Sequence, residues 1–277
     1  MHLLLASEED PASMNIRSKV LEYNGWTDVG VFRGKPVFER AGSILATIPG
    51  IHLYSDNIDL EVEEQTGRFV DEVIFLSRHK AASGIPTLTV HPIGNYGKAE
   101  YGGTEGHIVP NAGRTMTGLL RQMSARISRL PEFKASFEVT HHGPIMSRPT
   151  CFIEIGSSEN EWGNDGAGEI IAASIMDLEV EADPLAIGIG GGHYAPRFTE
   201  VSLSKRIAFG HMIPNYAMEN AADERIRKMM ADAARASGTN LAFIHRKSMS
   251  KPRATHLREL AEMEGLSIID SDDLASR

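Results

Sequence analysis

Short apolar runs alternate with stretches of helical periodicity along most of the chain, and this alternation constrains the fold more than any other feature. Residues 71–77, 87–90, 137–140, 151–155, 185–190 and 241–244 read as strands, most of them too continuously apolar to keep one face in water. Residues 13–23, 115–130, 165–178, 218–237 and 255–264 read as helices. In the second of these Met116, Leu119, Leu120, Met123 and Ile127 fall on one stripe. Strands that alternate with helices predict one layered α/β domain over residues 1–277. Over 28–54 the runs are short and broken by Gly and Pro, so a small antiparallel excursion is expected there. The chain shows no internal repeat and no low-complexity tract.

Composition narrows the partners. The chain has 277 residues, a single cysteine (Cys151) and a formal charge of −9 with histidine neutral. One cysteine excludes an intramolecular disulfide and suits a reducing compartment. The acidic balance argues against a protein that coats polyanions, while leaving room for a local basic patch. Glu8, Glu9 and Asp10 follow the first residues at once, which fits neither a secretory nor a mitochondrial signal. No run approaches the roughly 18 apolar residues of a membrane helix. The chain is read as cytoplasmic, complete from residue 1 and monomeric, with no DNA or membrane partner.

The chemistry is carried by histidines. His91 ends the run 87–90, and His141-His142 end the run 137–140. His193 follows 185–190 and a glycine pair, His245 ends 241–244, and His79 lies three residues beyond Leu76. In open α/β sheets ligands bind beyond the carboxyl ends of the strands. If these strands are parallel neighbours, their imidazoles converge on one pocket. Neutral imidazole is a common transition-metal ligand and also titrates near neutrality.

Glu154 sits inside the apolar run 151–155, where a carboxylate is costly unless paired, metal-bound or turned to solvent. Strand alternation allows the solvent-facing placement. With histidines nearby, Glu154 is equally a fourth zinc ligand or a base. Gly190, Gly191 and Gly192 precede His193, where a dinucleotide fingerprint would need another glycine and then a helix. Their amides instead suit an anion or a carbonyl oxygen, or the glycines merely make room for the core. Trp162 reads as structural or as a stacking surface, and the loop around His211 and Tyr216 as a lesser contributor. Arg114, Arg121, Arg126 and Arg129 stud one helix, and the segment 246–253, with Arg246 and Lys251, forms a basic loop. Such charges rim a site for a phosphate-bearing substrate or are simply solvated.

Taken together, His91-Pro92-Ile93-Gly94-Asn95, the stretch 137–144 with its His141-His142 pair, the stretch 149–159 around Glu154, Gly190-Gly191-Gly192-His193-Tyr194-Ala195-Pro196-Arg197-Phe198 and Gly210-His211 give the chain a specific likeness. It resembles the archaeal and plant type of D-aminoacyl-tRNA deacylase over essentially its whole length. The resemblance implies a phosphorylase/hydrolase-like fold, three-layer αβα with a mixed, largely parallel central sheet. It also implies hydrolysis of the ester between a D-amino acid and the terminal ribose of tRNA, a translation quality-control activity. It implies zinc, two ions per chain.

The ligand set rests on the strand-end argument: His141, Glu154 and His193, with His91 or His142, as zinc ligands. Glu154, His142 and His193 are the expected catalytic groups. The amides of Gly190, Gly191 and Gly192 are expected at the oxyanion, and Arg246 and Lys251 at the 3′ end of the tRNA. The competing reading is a zinc peptidase or amidohydrolase using the same cluster on small substrates. A nucleoside-phosphorylase-like enzyme and a non-catalytic RNA-end binder complete the alternatives.

Overall fold

A computed structural model describes residues 1–82 and 84–277. Its strands are β1 (His2–Ser7), β2 (Thr27–Phe32), β3 (Lys35–Arg40), β4 (Ser43–Ile48), β5 (Glu72–Arg78), β6 (Thr87–His91), β7 (Lys134–Phe137), β8 (Thr150–Gly156), β9 (Leu185–Ile189), β10 (Ala208–Ile213), β11 (Leu241–Ile244) and β12 (Ser267–Ile268). Among the described residues they form an eight-stranded sheet, in the order β2-β3-β4-β1-β5-β8-β6-β7, and a four-stranded sheet, β10-β9-β11-β12. The four-stranded sheet is wholly parallel. The larger one is mixed: β4, β1, β5 and β8 run parallel, whereas β6 is antiparallel to β8. β2, β3 and β4 pair antiparallel at its other edge.

Side-chain alternation splits the large sheet into two apolar faces. Leu4, Ala6, Ile74, Leu76, Cys151 and Ile153 face the helices Pro11–Leu21, Gly113–Arg126 and Asp165–Met176. Leu3, Leu5, Val73, Phe75 and Phe152 face the opposite way, toward Ile58 and Val62 of the helix Ile58–Thr66. Each fully buried Leu, Ile or Phe contributes roughly 1.5–3 kcal/mol. The small sheet is covered by Ile226, Met229, Met230 and Leu257 from the helices Asp223–Ser237 and Lys251–Met263.

Several local readings are corrected. The segment around His211 is strand β10, not a loop; Gly210 and His211 interrupt its apolar pattern, but every residue of it is buried. A helix, Pro196–Ser204, does follow His193, and Pro196 occupies its first turn, where a missing N–H costs nothing. The basic loop ends early, because Ser250 caps the helix Lys251–Met263 and Pro252 lies in its first turn. The strand expected over 137–140 stops at Phe137. Beyond it the chain stitches the two sheets together: Val139 N–H donates to the His193 carbonyl, Ala195 N–H to the Phe137 carbonyl and Thr140 N–H to the Met212 carbonyl. Among the described residues no helix is long and apolar enough to cross a membrane.

Candidate active site

The register of three strands builds the centre. Glu154 on β8 lies opposite Ser77 on β5 and Thr89 on β6. Alternation puts His79, two residues beyond Ser77, and His91, two beyond Thr89, on the Glu154 face of the sheet. Because β5 and β6 run in opposite directions, the two imidazoles lean over Glu154 from opposite ends. His79 Nδ1 and His91 Nε2 each lie 3.6 Å from Glu154 Oε2. The centre therefore sits over the middle of β8 rather than beyond a shared strand end. Glu154 is fully buried, since β8 is covered on both faces, so the solvent-facing placement is excluded.

The crossover between the sheets delivers the rest. His141 follows the stitched segment 138–140, and His193 follows the glycines after β9. Their Nε2 atoms lie 3.3 and 3.0 Å from Glu138 Oε2, and His79 Nδ1 lies 3.3 Å from Glu138 Oε1. Glu138, absent from the expected ligand set, is thus the carboxylate at the centre. His142 completes the cluster, its ring 4.2 Å from that of His141 and 4.9 Å from that of His91. It sits at φ 30°, in the left-handed region that non-glycine residues rarely adopt, a form of strain that gathers at functional sites. Phe152 stacks on His91 at 5.1 Å and on Phe75 at 4.7 Å, giving the centre an apolar floor.

Two groups of side chains bring ligand atoms within 4.8 Å of one another: His91, His141 and His142, and His79, Glu138 and His193. Their hydrogen bonds fit metal ligation. His141 Nδ1 meets the Val139 carbonyl at 2.8 Å and His91 Nδ1 the Pro92 carbonyl at 3.2 Å. Assigned from those acceptors, the ring proton is on Nδ1 and each Nε2 presents a lone pair. His79 Nε2 is 2.9 Å from Tyr194 Oη, which leaves Nδ1 facing the carboxylates. His91 Nε2, His142 Nδ1 and all four oxygens of Glu138 and Glu154 are buried without a hydrogen-bond partner. Lone pairs facing carboxylate oxygens repel unless a proton or a cation lies between them. The donor set of imidazole nitrogen and carboxylate oxygen suits zinc.

The electrostatics divide the two acids. Burial raises the Glu154 carboxyl far above its usual range, and the nearby Glu138 charge adds to this. Burial also acts on Glu138, but the His193 imidazole and the charges of His141, His79 and His91 outweigh it and hold that carboxyl low. Burial and mutual repulsion keep His91, His141 and His142 well below their ordinary values. Taken without an ion, the centre thus favours the charged form of Glu138, the protonated form of Glu154 and the neutral rings of His91, His141 and His142. His193, 38% exposed, and His141, 18% exposed, mark its open side.

The other expected residues separate from this cluster. His211 spends both ring nitrogens inside the core, on Thr140 Oγ1 at 3.0 Å and the Val109 carbonyl at 2.8 Å. The Gly190 N–H donates to the Ile213 carbonyl and the Gly191 N–H to Ser248 Oγ. Those two amides are already committed, which removes them as donors to a carbonyl oxygen. Arg246 pairs with Asp270 at 3.2 Å, and Lys251 is exposed at the start of its helix. Only Met249 and Arg253 of that segment reach the cavity that Gly191 and Gly192 line. Of the helix arginines, Arg121 pairs with Asp183, Arg126 with Asp177 and Arg129 with Glu169, while Arg114 donates to the Asp183 carbonyl. Trp162 is structural: its indole N–H holds the His79 carbonyl at 2.9 Å.

Residues 66–269 match a family model described as D-aminoacyl-tRNA deacylase. Several archaeal relatives bear that name. The one from Pyrococcus furiosus is 42% identical over 221 residues, 78% of this chain and 81% of the relative. The one from Thermococcus kodakarensis is 35% identical over 275 residues, 97% of this chain and 99% of the relative. The one from Methanococcoides burtonii is 37% identical over 98% of this chain, which spans 57% of that longer protein. The crystal structure of a conserved protein of unknown function shares the fold, with a TM-score of 0.88 at 31% identity, covering 100% of this chain and 98% of that one. The chain belongs to the D-aminoacyl-tRNA deacylase family.

Proposed function

We propose that this chain hydrolyses the ester of D-aminoacyl-tRNA in the cytoplasm, releasing the D-amino acid and free tRNA, at a zinc centre built from two side-chain groups. The observation that carries this reading is Glu138, a buried carboxylate ringed by three imidazoles with neither oxygen hydrogen-bonded, in a chain of the deacylase family. His91, His141 and His142 would hold one ion, and His79, Glu138 and His193 a second. Zinc bound there supplies Lewis acidity toward an ester carbonyl and toward water.

The chain's own groups set the stage. Glu138 would supply the anionic ligand of the centre, and Glu154, whose burial favours the protonated form, lies beneath it. Tyr194 and the Val139 and Pro92 carbonyls fix the imidazole tautomers. Phe75 and Phe152 exclude bulk water from below, so substrate and water enter past His141 and His193. The family result favours the ester over a peptide bond as the substrate.

The test is incubation with D-tyrosyl-tRNA and L-tyrosyl-tRNA, each with and without a zinc chelator. The expected result is release of D-tyrosine, sparing of the L-ester, loss of activity on chelation and recovery on adding zinc. Equal cleavage of both esters would overturn the chiral assignment, and full activity in chelator would overturn the zinc assignment.

A further inference from the structure

A cavity of about 450 Å³ opens beside His141, and its lining is unlike a pocket for a small apolar side chain. Tyr96, Lys98, Tyr216 and Arg225 line it with His141. Tyr96 is 8% exposed, yet its hydroxyl has no hydrogen-bond partner. Thr140 Oγ1 beside it already bonds His211 Nδ1 and the Met212 N–H, and keeps one lone pair toward which the Tyr96 hydroxyl can turn. The Tyr96 oxygen then keeps a lone pair for a donor that a ligand brings. Tyr216, 53% exposed as a residue, stands at the wall and offers a face on which a base stacks.

Charge points the same way. Although many arginines of this acidic chain are paired, Lys98 and Arg225 form no ion pair among the described residues. Arg225 donates a hydrogen bond to the Tyr96 carbonyl, at 3.2 Å. Two free cations at a cavity mouth suit a phosphate. Glu100 and Glu219, also on the lining, suit the donor groups of a ribose or a base amine.

We infer that this cavity seats the terminal nucleoside of an RNA 3′ end with its 5′-phosphate: Tyr216 stacks on the base, Lys98 and Arg225 meet the phosphate, and the Tyr96 hydroxyl bonds the ribose or base edge. The inference rests on the aminoacyl-tRNA reading above and names the residues that would recognise its nucleotide half. Seated there, the ribose edge that carries the ester points toward His141. The amino acid then extends past Tyr216 into the second cavity, of about 500 Å³, which Tyr216 also lines with Gly191, Gly192, Met218 and Met249. The RNA contact thereby moves from Arg246 and Lys251 to this cavity.

The test titrates the full-length, zinc-loaded protein with AMP and with adenosine by calorimetry, in wild type, Tyr216→Ala, Tyr96→Phe and Arg225→Ala. AMP is expected to bind saturably and more tightly than adenosine. Tyr216→Ala should weaken both by about tenfold or more. Arg225→Ala should bring AMP close to the adenosine level, and Tyr96→Phe, which removes one oxygen without emptying the core, should weaken both ligands. Absence of saturable AMP binding to the wild type, or unchanged AMP binding in Tyr216→Ala and Arg225→Ala, would overturn the assignment. Hydrolysis of D-tyrosyl-tRNA, assayed in parallel, separates the two ideas: cleavage without AMP binding sinks only the cavity, and AMP binding without cleavage sinks only the proposed reaction.

Discussion

Glu138 and Glu154 approach the same nitrogen, His79 Nδ1, at 3.3 and 3.6 Å, and their surroundings push them to opposite protonation states. Three imidazoles close on Glu138 and favour its charged form, while burial beside that charge favours the protonated form of Glu154. Two carboxyl groups whose environments drive them apart in this way divide the roles of charge and proton between them.

The two isosteric amide substitutions should therefore behave differently. Glu138→Gln removes the anion and should lower kcat on D-tyrosyl-tRNA by about a hundredfold or more. Glu154→Gln replaces a group whose burial favours the neutral form, and its kcat should stay within about tenfold of wild type. Steady-state kinetics on both variants, with circular dichroism to confirm folding, checks this. A larger loss in Glu154→Gln than in Glu138→Gln would reverse the assignment of charge.

Stability should fall on acidification. Burial holds His211 down to about 4, and His52 down to about 3 with help from the Arg78 charge. In the unfolded chain both titrate near 6.5. Below that pH the unfolded chain binds protons that the folded chain refuses. Stability is thus complete above 6.5 and declines toward 4, by about 1.4 kcal/mol per pH unit for each group. The buried imidazoles of the metal-free centre add to the decline, while Glu154, with its raised carboxyl, acts in the opposite sense. Thermal melts of the metal-free protein from pH 7 to pH 5 should show a steady drop in Tm, shallower in His211→Gln. A flat profile would contradict burial as the cause.

Gly156 is needed for its lack of a side chain. A Cβ there would stand 2.7 Å from the His79 Cβ and 2.8 Å from its Cδ2. Gly156→Ala should cost about 1–3 kcal/mol of stability and should lower turnover further by displacing His79 from the carboxylates. Wild-type turnover in a folded Gly156→Ala protein would show that His79 need not hold its seat.

Arg246→Ala and Lys251→Ala should change KM for D-tyrosyl-tRNA by less than about threefold. Arg246 is exposed and spent on Asp270, and Lys251 lines neither cavity beside the centre. A tenfold rise in KM in either variant would restore this segment to the RNA surface.

His91, His141, His142 and His193 were legible in the sequence because each follows an apolar run, and a run that ends in a polar, ligand-type residue is visible without coordinates. Glu138 was not. Read as an interior residue of a strand over 137–140, it has no reason to meet His79. The strand stops at Phe137, and the chain then crosses to Tyr194, so that Glu138 is aimed by pairing between the two sheets rather than by alternation. The parallel-neighbour premise also fails locally, since β6 opposes β8, and the histidines meet because the register places them over one glutamate. The basic segments read as an RNA rim because charge is visible in a sequence, whereas the carboxylate that neutralises it belongs to a distant stretch.

The stitching of segment 138–140 to His193 and Met212 carries a consequence for how the enzyme comes into being. The candidate ligands span positions 79 to 193, and the backbone that aims Glu138 is held by β10, further on still. A nascent chain that has completed most of the large sheet still lacks the partners that orient its central acid. Activity should switch on late and all at once during synthesis, and a proteolytic fragment ending before β10 should be inert even when its own strands have folded.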